Sequence, residues 1–245
     1  MTASVAQLAP LVGQVEIHNR ANDASCVAQN KVFCPGWAFD NFDRYTTPLL
    51  NQLLLVLVAV AIGFAVAFAF AIFSHRQRWL VPTFTAATGV LYTIPSLAFI
   101  FLLLPITGLG WKTAIIVLSV YTLQIIYRNI VAGLANVPVE SRDAGRGMGM
   151  TDRQLLWRVE LPLALPEIIA GLRIATVSTV AISTLMVFAN VNTLGAPLYQ
   201  QIDFKTNIVI AGGLSVVMAV VLDLLLLLTQ RLLAPWRRPS VEAIT

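Results

Sequence analysis

The chain carries Asp-Ala-Gly-Arg-Gly-Met-Gly at residues 143–149 and, nine residues later, Val-Glu-Leu-Pro at residues 159–162. Long apolar runs lie on both sides of this polar segment. A charged, glycine-rich segment in that position predicts a helix-turn-helix that projects from a membrane protein. Such a segment would be accessible to another protein.

The composition supports a membrane setting. Hydrophobic residues make up 58% of the 245-residue chain and charged residues 11%, and the mean hydropathy is +0.79. Soluble domains carry about a quarter charged residues, so an integral membrane protein is expected. The net charge of +4 comes from loops, with no basic patch outside them, so nucleic acid is not an expected partner.

Five apolar segments are long enough to cross a bilayer, which takes roughly 20 residues of helix. Their predicted bounds are 49–73, 82–104, 112–134, 164–190 and 207–233. The predicted fold is therefore all-α, a polytopic membrane protein with five transmembrane helices.

The Lys and Arg residues of the loops predict the orientation. Ten lie on the side of the 143–149 segment and five on the other side. The ten are Arg76, Arg78, Arg128, Arg142, Arg146, Arg153, Arg158, Arg231, Arg237 and Arg238; the five are Arg20, Lys31, Arg44, Lys112 and Lys205. We therefore expect the N-terminus outside and the C-terminus in the cytoplasm.

Residues 1–48 lack clear periodicity and do not resemble a cleavable signal peptide. We expect them to form an extracytoplasmic tail, followed by a membrane domain at 49–233 with a cytoplasmic loop at 136–163, and by a cytoplasmic tail at 234–245. Cys26 and Cys34 fall in the first tail, where an oxidising compartment allows a disulfide; two free thiols are the alternative, and both remain open. No metal site is expected, because His18 is the only histidine nearby.

Enzymatic chemistry is not expected. Gly145, Gly147 and Gly149 lie close together, but no Lys-Ser or Lys-Thr follows them as a phosphate-binding loop requires. The two histidines lie outside the predicted spans, and no paired carboxylates or His/Cys ligand set occurs at membrane depth.

The polar segment resembles a known motif. Asp143-Ala144-Gly145, three residues, Gly149, nine residues and Val159-x-Leu161-Pro162 are similar to the EAA loop of ABC importer permeases: Glu-Ala-Ala, three residues, Gly, nine residues, Ile-x-Leu-Pro. The spacing matches throughout, while Asp143, Gly145 and Val159 replace Glu, Ala and Ile.

Further segments narrow the resemblance. Residues 144–151, 161–166 and 170–177, together with Thr-Ile-Pro-Ser-Leu at 93–97, resemble the permeases of glycine betaine, carnitine, choline and proline betaine importers. The resemblance covers about residues 45–235.

The resemblance implies a type I ABC importer permease in a bacterial cell membrane. The implied partners are a second permease subunit, identical or not, two ATPases that hold the ATP and Mg, and an external substrate-binding protein; no cofactor is implied in this chain. Residues 140–150 are implied to form the coupling helix that sits in a groove of the ATPase. The coupling residues would be Asp143, Ala144, Gly145, Gly147, Met148, Gly149, Leu161 and Pro162.

Two ionisable residues lie at membrane depth, Arg173 in the fourth span and Asp223 in the fifth. Such charges are costly in lipid and usually face a partner or an aqueous cavity. We expect them to pair. Alternatively, Arg173 extends to the interface and Asp223 lines the pathway.

Pro95 predicts a kink within the second span. Tyr92, Thr93, Ser96 and Phe99 flank it and are candidates, with Pro95, for lining a passage; aromatic faces suit a quaternary ammonium cation, although ordinary packing explains them equally. After the fourth span the family usually carries Gly-Gly-Leu-Gly, whereas this chain has Asn-Thr-Leu-Gly at 192–195. Asn190 and Asn192 are then candidate gate residues, with loop capping as the alternative.

Other functions remain open at this point. The same architecture could carry another small solute, such as an amino acid or a thiol-betaine. A stand-alone secondary transporter is disfavoured, because five spans without an internal repeat do not form the two halves that such transporters need.

Overall fold

The apolar runs fold as long helices, and shorter helices occupy the polar segments between them. The computed structural model describes residues 23–77 and 79–234. Its helices are α1 (Asp23–Ala28), α2 (Pro35–Asp40), α3 (Asp43–Arg76), α4 (Leu80–Thr93), α5 (Ser96–Thr107), α6 (Trp111–Ala135), α7 (Val139–Gly147), α8 (Asp152–Leu155), α9 (Leu161–Ser183), α10 (Gly195–Gln200) and α11 (Lys205–Leu233). A π turn (Leu156–Glu160) joins α8 to α9, and a 3-10 helix (Thr184–Ala189) extends α9.

Among the residues that the structure describes, four helical runs are long and apolar enough to cross a membrane: α3, α6, the continuous run Asp152–Ala189, and α11. The predicted spans 49–73, 112–134 and 207–233 fall within α3, α6 and α11. The predicted span 164–190 falls, apart from its last residue, within the run Asp152–Ala189. The span predicted as one helix at 82–104 is instead α4 and α5, which meet at an angle of 93°.

The contacts between helices show that α4 and α5 together cross the bundle. Ser119 of α6 donates to the carbonyl of Ala59 in α3, and Tyr127 of α6 donates to Ser74 in α3, so the two helices run in the same direction. The segment that joins the end of α3 to the start of α6 must therefore return across the bundle. Helix α9 runs antiparallel to α6, and α11 runs antiparallel to α9. The described part of the chain therefore makes five crossings of the bundle.

The break between α4 and α5 follows from Pro95, which has no N–H to continue the helix of α4. Ile94, the residue before it, takes an extended conformation, as residues before proline usually do. The hydroxyl of Tyr121 on α6 donates to the carbonyl of Ile94, which satisfies an acceptor that the break leaves free. The span is therefore broken sharply rather than kinked, because a neighbouring helix stabilises the open backbone.

Small residues allow α6 to pack closely between α3 and α9. A methyl group on Gly63 of α3 would overlap Thr122 of α6, and one on Gly171 of α9 would overlap Asn129 of α6. Membrane helices commonly associate through such small-residue contacts, because lipid offers little hydrophobic drive for association.

The segment before the first span packs on the bundle. Helix α3 begins at Asp43, six residues before the predicted start of the first span. Cys26 and Cys34 form a disulfide, and the Trp37 ring lies 4.7 Å from the Phe204 ring in an edge-to-face contact. We call this side of the molecule the disulfide end, and the opposite side, where α7 lies, the coupling end.

Candidate coupling site and membrane pathway

Helix α7 is the first half of the predicted coupling loop. It begins after Pro138, whose fixed φ suits a helix start. Glu140 lies in its first turn and Arg146 in its last, so both charges are favourable to the helix dipole. The helix ends at Gly147, three residues before the end of the predicted 140–150 segment.

Gly149 closes α7 with a Schellman motif. The Met150 N–H donates to the Gly145 carbonyl and the Gly149 N–H donates to the Arg146 carbonyl, at 3.2 and 2.9 Å. The motif requires a left-handed residue after the helix, and Gly149 has φ +76°. The glycine of the motif is therefore explained by backbone geometry.

Gly145 is the contact between the two halves of the loop. It is buried in α7, and a methyl group added to it would lie 2.6 Å from Cδ1 of Leu155 and 3.6 Å from Sδ of Met150. Only a small residue allows α8 and the π turn to pack this closely on α7.

The outer face of α7 is open. Asp143, Ala144, Gly147 and Met148 are exposed, and Met148 has 70% of its surface accessible. An exposed methionine at the end of a polar helix gives a partner an apolar anchor.

The second half of the loop starts with a capping box that the sequence analysis missed. The Thr151 side chain accepts from the Gln154 N–H, and the Gln154 side chain accepts from the Thr151 N–H at 2.9 Å. The Thr-x-x-Gln spacing is the signal that would have predicted it.

Pro162 and Pro166 do not interrupt this helix. The chain stays helical from Asp152 to Ala189. In the π turn the Leu161 N–H donates to the Leu156 carbonyl, a five-residue step. Pro162 therefore falls in the first turn of the α-helical register of α9, where its missing N–H costs little. Leu161 is buried in the core at the coupling end.

A buried carboxylate beside this π turn was also missed. Glu160 Oε2 lies 2.8 Å from His75 Nε2 of α3, and its Oε1 lies 2.8 Å from Nε of Arg142 on α7. The Glu160 side chain is 6% exposed. The available signal was that Glu160 lies four residues after the buried Leu156, on the same face of the helix.

Arg173 and Asp223 lie face to face between α9 and α11. The guanidinium donates from Nε to Oδ1 and from a terminal nitrogen to Oδ2, both at 2.8 Å. Such a two-point contact is the strongest geometry that this pair can adopt. The side chains are 27% and 30% exposed, so the pair faces the margin of the bundle rather than its core.

The predicted passage residues lie at the α4–α5 break but in different settings. Phe99 is buried in the core and Tyr92 is 41% exposed, and both rings pack edge-on against Tyr121. The Thr93 hydroxyl bonds to its own helix, Ser96 is half-buried, and Pro95 precedes α5. Phe99 is thus a packing residue, while Tyr92 offers an open aromatic face.

The two candidate gate asparagines lie in a turn at the disulfide end. Asn190 ends the 3-10 helix in a left-handed conformation, with φ 60°. The Asn192 carbonyl accepts from the Asn51 side chain at 3.0 Å. The buried Gln52 accepts from the Leu194 N–H at 2.9 Å, so α3 fixes the turn. Both asparagine side chains are exposed beside a polar cleft of about 350 Å³.

No group of three His, Cys, Asp or Glu residues suited to a metal ion occurs within residues 23–77 and 79–234.

Comparison with known families identifies the architecture. Residues 59–239 match the family described as the inner membrane component of binding-protein-dependent transport systems. The chain belongs to this family. It is therefore a multi-pass inner membrane protein and the permease of an ABC importer rather than its ATPase, as the sequence predicted. Such a permease works with ATPase and binding-protein partners.

Curated relatives of this permease carry related names. It is 38% identical to the choline transport system permease protein OpuBD of Bacillus subtilis over 161 residues, which are 64% of this chain and 71% of that protein. It is 36% identical to the glycine betaine/carnitine/choline transport system permease protein OpuCD of the same organism, over 68% of this chain and 74% of that protein. The osmoprotectant import permease protein OsmW of Salmonella typhimurium is 36% identical over 65% of this chain and 78% of its own length.

Solved structures share the fold. A chain of the inward-facing MetNI methionine ABC transporter matches this permease with a TM-score of 0.66 at 22% identity. The match covers 78% of this permease and 95% of the MetNI chain. An amino acid ABC transporter crystallised with histidines gives a TM-score of 0.61 at 18% identity, over 87% of this chain and 99% of that one. The predicted all-helical importer permease fold is confirmed.

Proposed function

We propose that this permease imports osmoprotectants of the quaternary ammonium class, such as glycine betaine, choline, carnitine and proline betaine. The observation that carries the proposal is the set of relatives at 33–38% identity whose names specify choline, glycine betaine, carnitine or osmoprotectants. These relatives match across about two thirds of this chain.

The coupling loop supports a mechanism driven by a partner. The exposed residues of α7 would bind in a groove of the ATPase. Closure of two ATPases around bound ATP and Mg would then displace α7. The Schellman motif at Gly149 and the close packing at Gly145 hold α7 rigidly against α8 and the π turn. A push on α7 would therefore move α9, which continues from that turn without interruption.

The passage would form between this chain and a second permease subunit. The α4–α5 break leaves an aromatic ring, Tyr92, exposed halfway across the bundle. A ring face attracts a quaternary ammonium cation by about 0.5–1 kcal/mol when exposed, which suits a transient contact. Asn190 and Asn192 would line the opening at the disulfide end, where the binding protein would release its solute.

The orientation proposal places the disulfide end outside. The sequence has ten Lys and Arg residues in the loops on the side of the 143–149 segment and five in the other loops, which favours a cytoplasmic coupling loop and C-terminus. The disulfide between Cys26 and Cys34 agrees, because such bonds persist in oxidising compartments. Residues 1–22 and 235–245 of the two proposed tails lie outside the described residues.

An uptake measurement tests the proposed solute class. The permease is reconstituted in proteoliposomes with its ATPase and binding-protein partners, and ATP-dependent uptake of labelled glycine betaine is followed with choline, carnitine, proline and methionine as competitors. We expect uptake that choline or carnitine inhibits and methionine does not. Inhibition by methionine alone would favour an amino acid cargo, and a complex that hydrolyses ATP without any uptake would contradict the osmoprotectant class.

A further inference from the structure

The Glu160 carboxylate contacts side chains of two other helices at the coupling end. It contacts His75, one residue before the end of α3, and Arg142 in the middle of α7. Arg142 also donates to the carbonyl of Leu134, near the end of α6. We call Glu160, His75 and Arg142 the charge hub.

The π turn places Glu160 in the hub. A π turn adds one residue to a helical turn, and such turns frequently occur at functional sites. Here it lies immediately before α9 and its last residue is Glu160, which is buried while Trp157 and Arg158 of the same turn are exposed. Burying a carboxylate is costly unless it is paired. The burial of Glu160 therefore depends on His75 and Arg142 beside it.

Open space surrounds the hub. A cleft of about 400 Å³ is lined by His75 and Arg142 together with apolar residues of α3, α4 and α6. A second cleft of about 520 Å³, lined by His75 and Glu160, separates the end of α3 from α8. Between these clefts, α7 is connected to α3 and α6 through the charged contacts.

We propose that the charge hub is the positioning device through which movement of α7 reaches α3 and α6. The packing of Gly145 joins α7 to α8 and the π turn, from which α9 continues. Without the hub, movement of α7 would reach α3 and α6 only indirectly, through the packing of α9, and ATP hydrolysis would be less closely matched to solute movement. This inference rests on the proposed coupling function of α7 and assigns it a residue, Glu160, outside the exposed face of that helix.

The test compares Glu160→Gln and Arg142→Gln with Arg231→Gln. Arg231 is exposed in the last turn of α11, also at the coupling end, so its substitution is the matched control for Arg142→Gln. In the reconstituted complex, ATP consumed per solute imported is expected to rise about fivefold or more in both hub variants, which is the lower range of ordinary coupling between sites. The control is expected to keep the wild-type ratio. Glutamine retains the size of Glu160, so its effect reports the lost charge.

A second measurement on the full chain alone is independent of cargo and ATPase. The apparent Tm in nanodiscs is measured for Glu160→Gln, Arg142→Gln and the double variant. If the pair exists, the loss of Tm in the double variant is smaller than the sum of the two single losses, because either change already breaks the shared contact. Additive losses would show that the two side chains do not interact and would overturn the hub.

The outcomes separate this inference from the proposed function. Wild-type uptake with an unchanged ATP-to-solute ratio in both hub variants would reject the hub and leave the osmoprotectant permease intact. Absence of wild-type uptake would reject the proposed cargo, while the cycle of Tm values would still decide whether the hub exists. A raised ratio with an interacting pair supports both.

Discussion

Gly149 offers the sharpest test of how the coupling loop is built. Gly147 and Gly149 lie two residues apart, and a methyl group added to either would meet no atom within 4 Å. They differ in backbone conformation, since Gly149 has φ +76° whereas Gly147 ends the helix with a negative φ. Replacing each with alanine therefore isolates the effect of conformation from that of packing.

The two substitutions are expected to change the stability of the end of α7 in opposite directions. Alanine in the left-handed region costs about 1–2 kcal/mol, so Gly149→Ala should weaken the Schellman motif by that amount. Alanine in a helix is favoured over glycine by about 0.5–1 kcal/mol, so Gly147→Ala should strengthen the end of α7. A cost of 1–2 kcal/mol changes a local equilibrium by a factor of roughly 5–30.

Amide hydrogen exchange on the chain alone, in nanodiscs and without the ATPase, measures this equilibrium directly. The amides of residues 149 and 150, which close the motif, should exchange about 5–30 times faster in Gly149→Ala. They should exchange no faster than wild type in Gly147→Ala. Equal acceleration in the two variants would refute the assignment of Gly149 to a conformational role.

Two further predictions concern other parts of the molecule. The disulfide closes a short loop, since Cys26 and Cys34 are eight positions apart. Replacing both with serine should destabilise the disulfide end by about 2.5 kcal/mol, because the unfolded chain regains loop entropy, and this should lower the apparent Tm. Alkylation of either thiol in unreduced protein would contradict the bond. Arg173→Asp and Asp223→Arg should each lower the folded yield, because each change breaks the pair and places two like charges opposite each other. The double exchange should restore most of the yield, and failure to restore it would show that the pair contributes little.

Hydropathy was sufficient to predict the long helices. The runs at 49–73, 112–134 and 207–233 contain only Arg128 and Asp223 as charges apart from Lys112 and Arg231 near their ends, and the observed helices α3, α6 and α11 extend each run by at most six residues at either end. Pro95 predicted a disturbance of the second span, because its missing N–H is a local property. The 93° angle depends on the hydroxyl of Tyr121, on a different helix, and could not be derived from local sequence.

In the coupling loop, too, the features set by neighbouring residues could be predicted, while those set by other helices could not. The spacing from Asp143 to Gly149 predicted a short helix and a glycine turn, because both depend on neighbouring residues. Glu160 gave no comparable signal, since a glutamate in a polar loop is usually solvated. Its burial arises from the π turn and from the approach of α3, which brings His75 within 2.8 Å.

The bonds at the disulfide end also constrain how the molecule can deform. There the start of α3 is tied to the start of α11 by the hydroxyl of Tyr45, which donates to Asn207, and the Lys31 carbonyl accepts from Thr206. Helix α3 has 34 residues and is about 51 Å long. If α3 pivots about this end, a tilt of about 5° moves its opposite end by roughly 4 Å at this length. The disulfide end is then the pivot of α3, and a small change of helix angle there corresponds to a displacement of side-chain size at the opposite membrane surface.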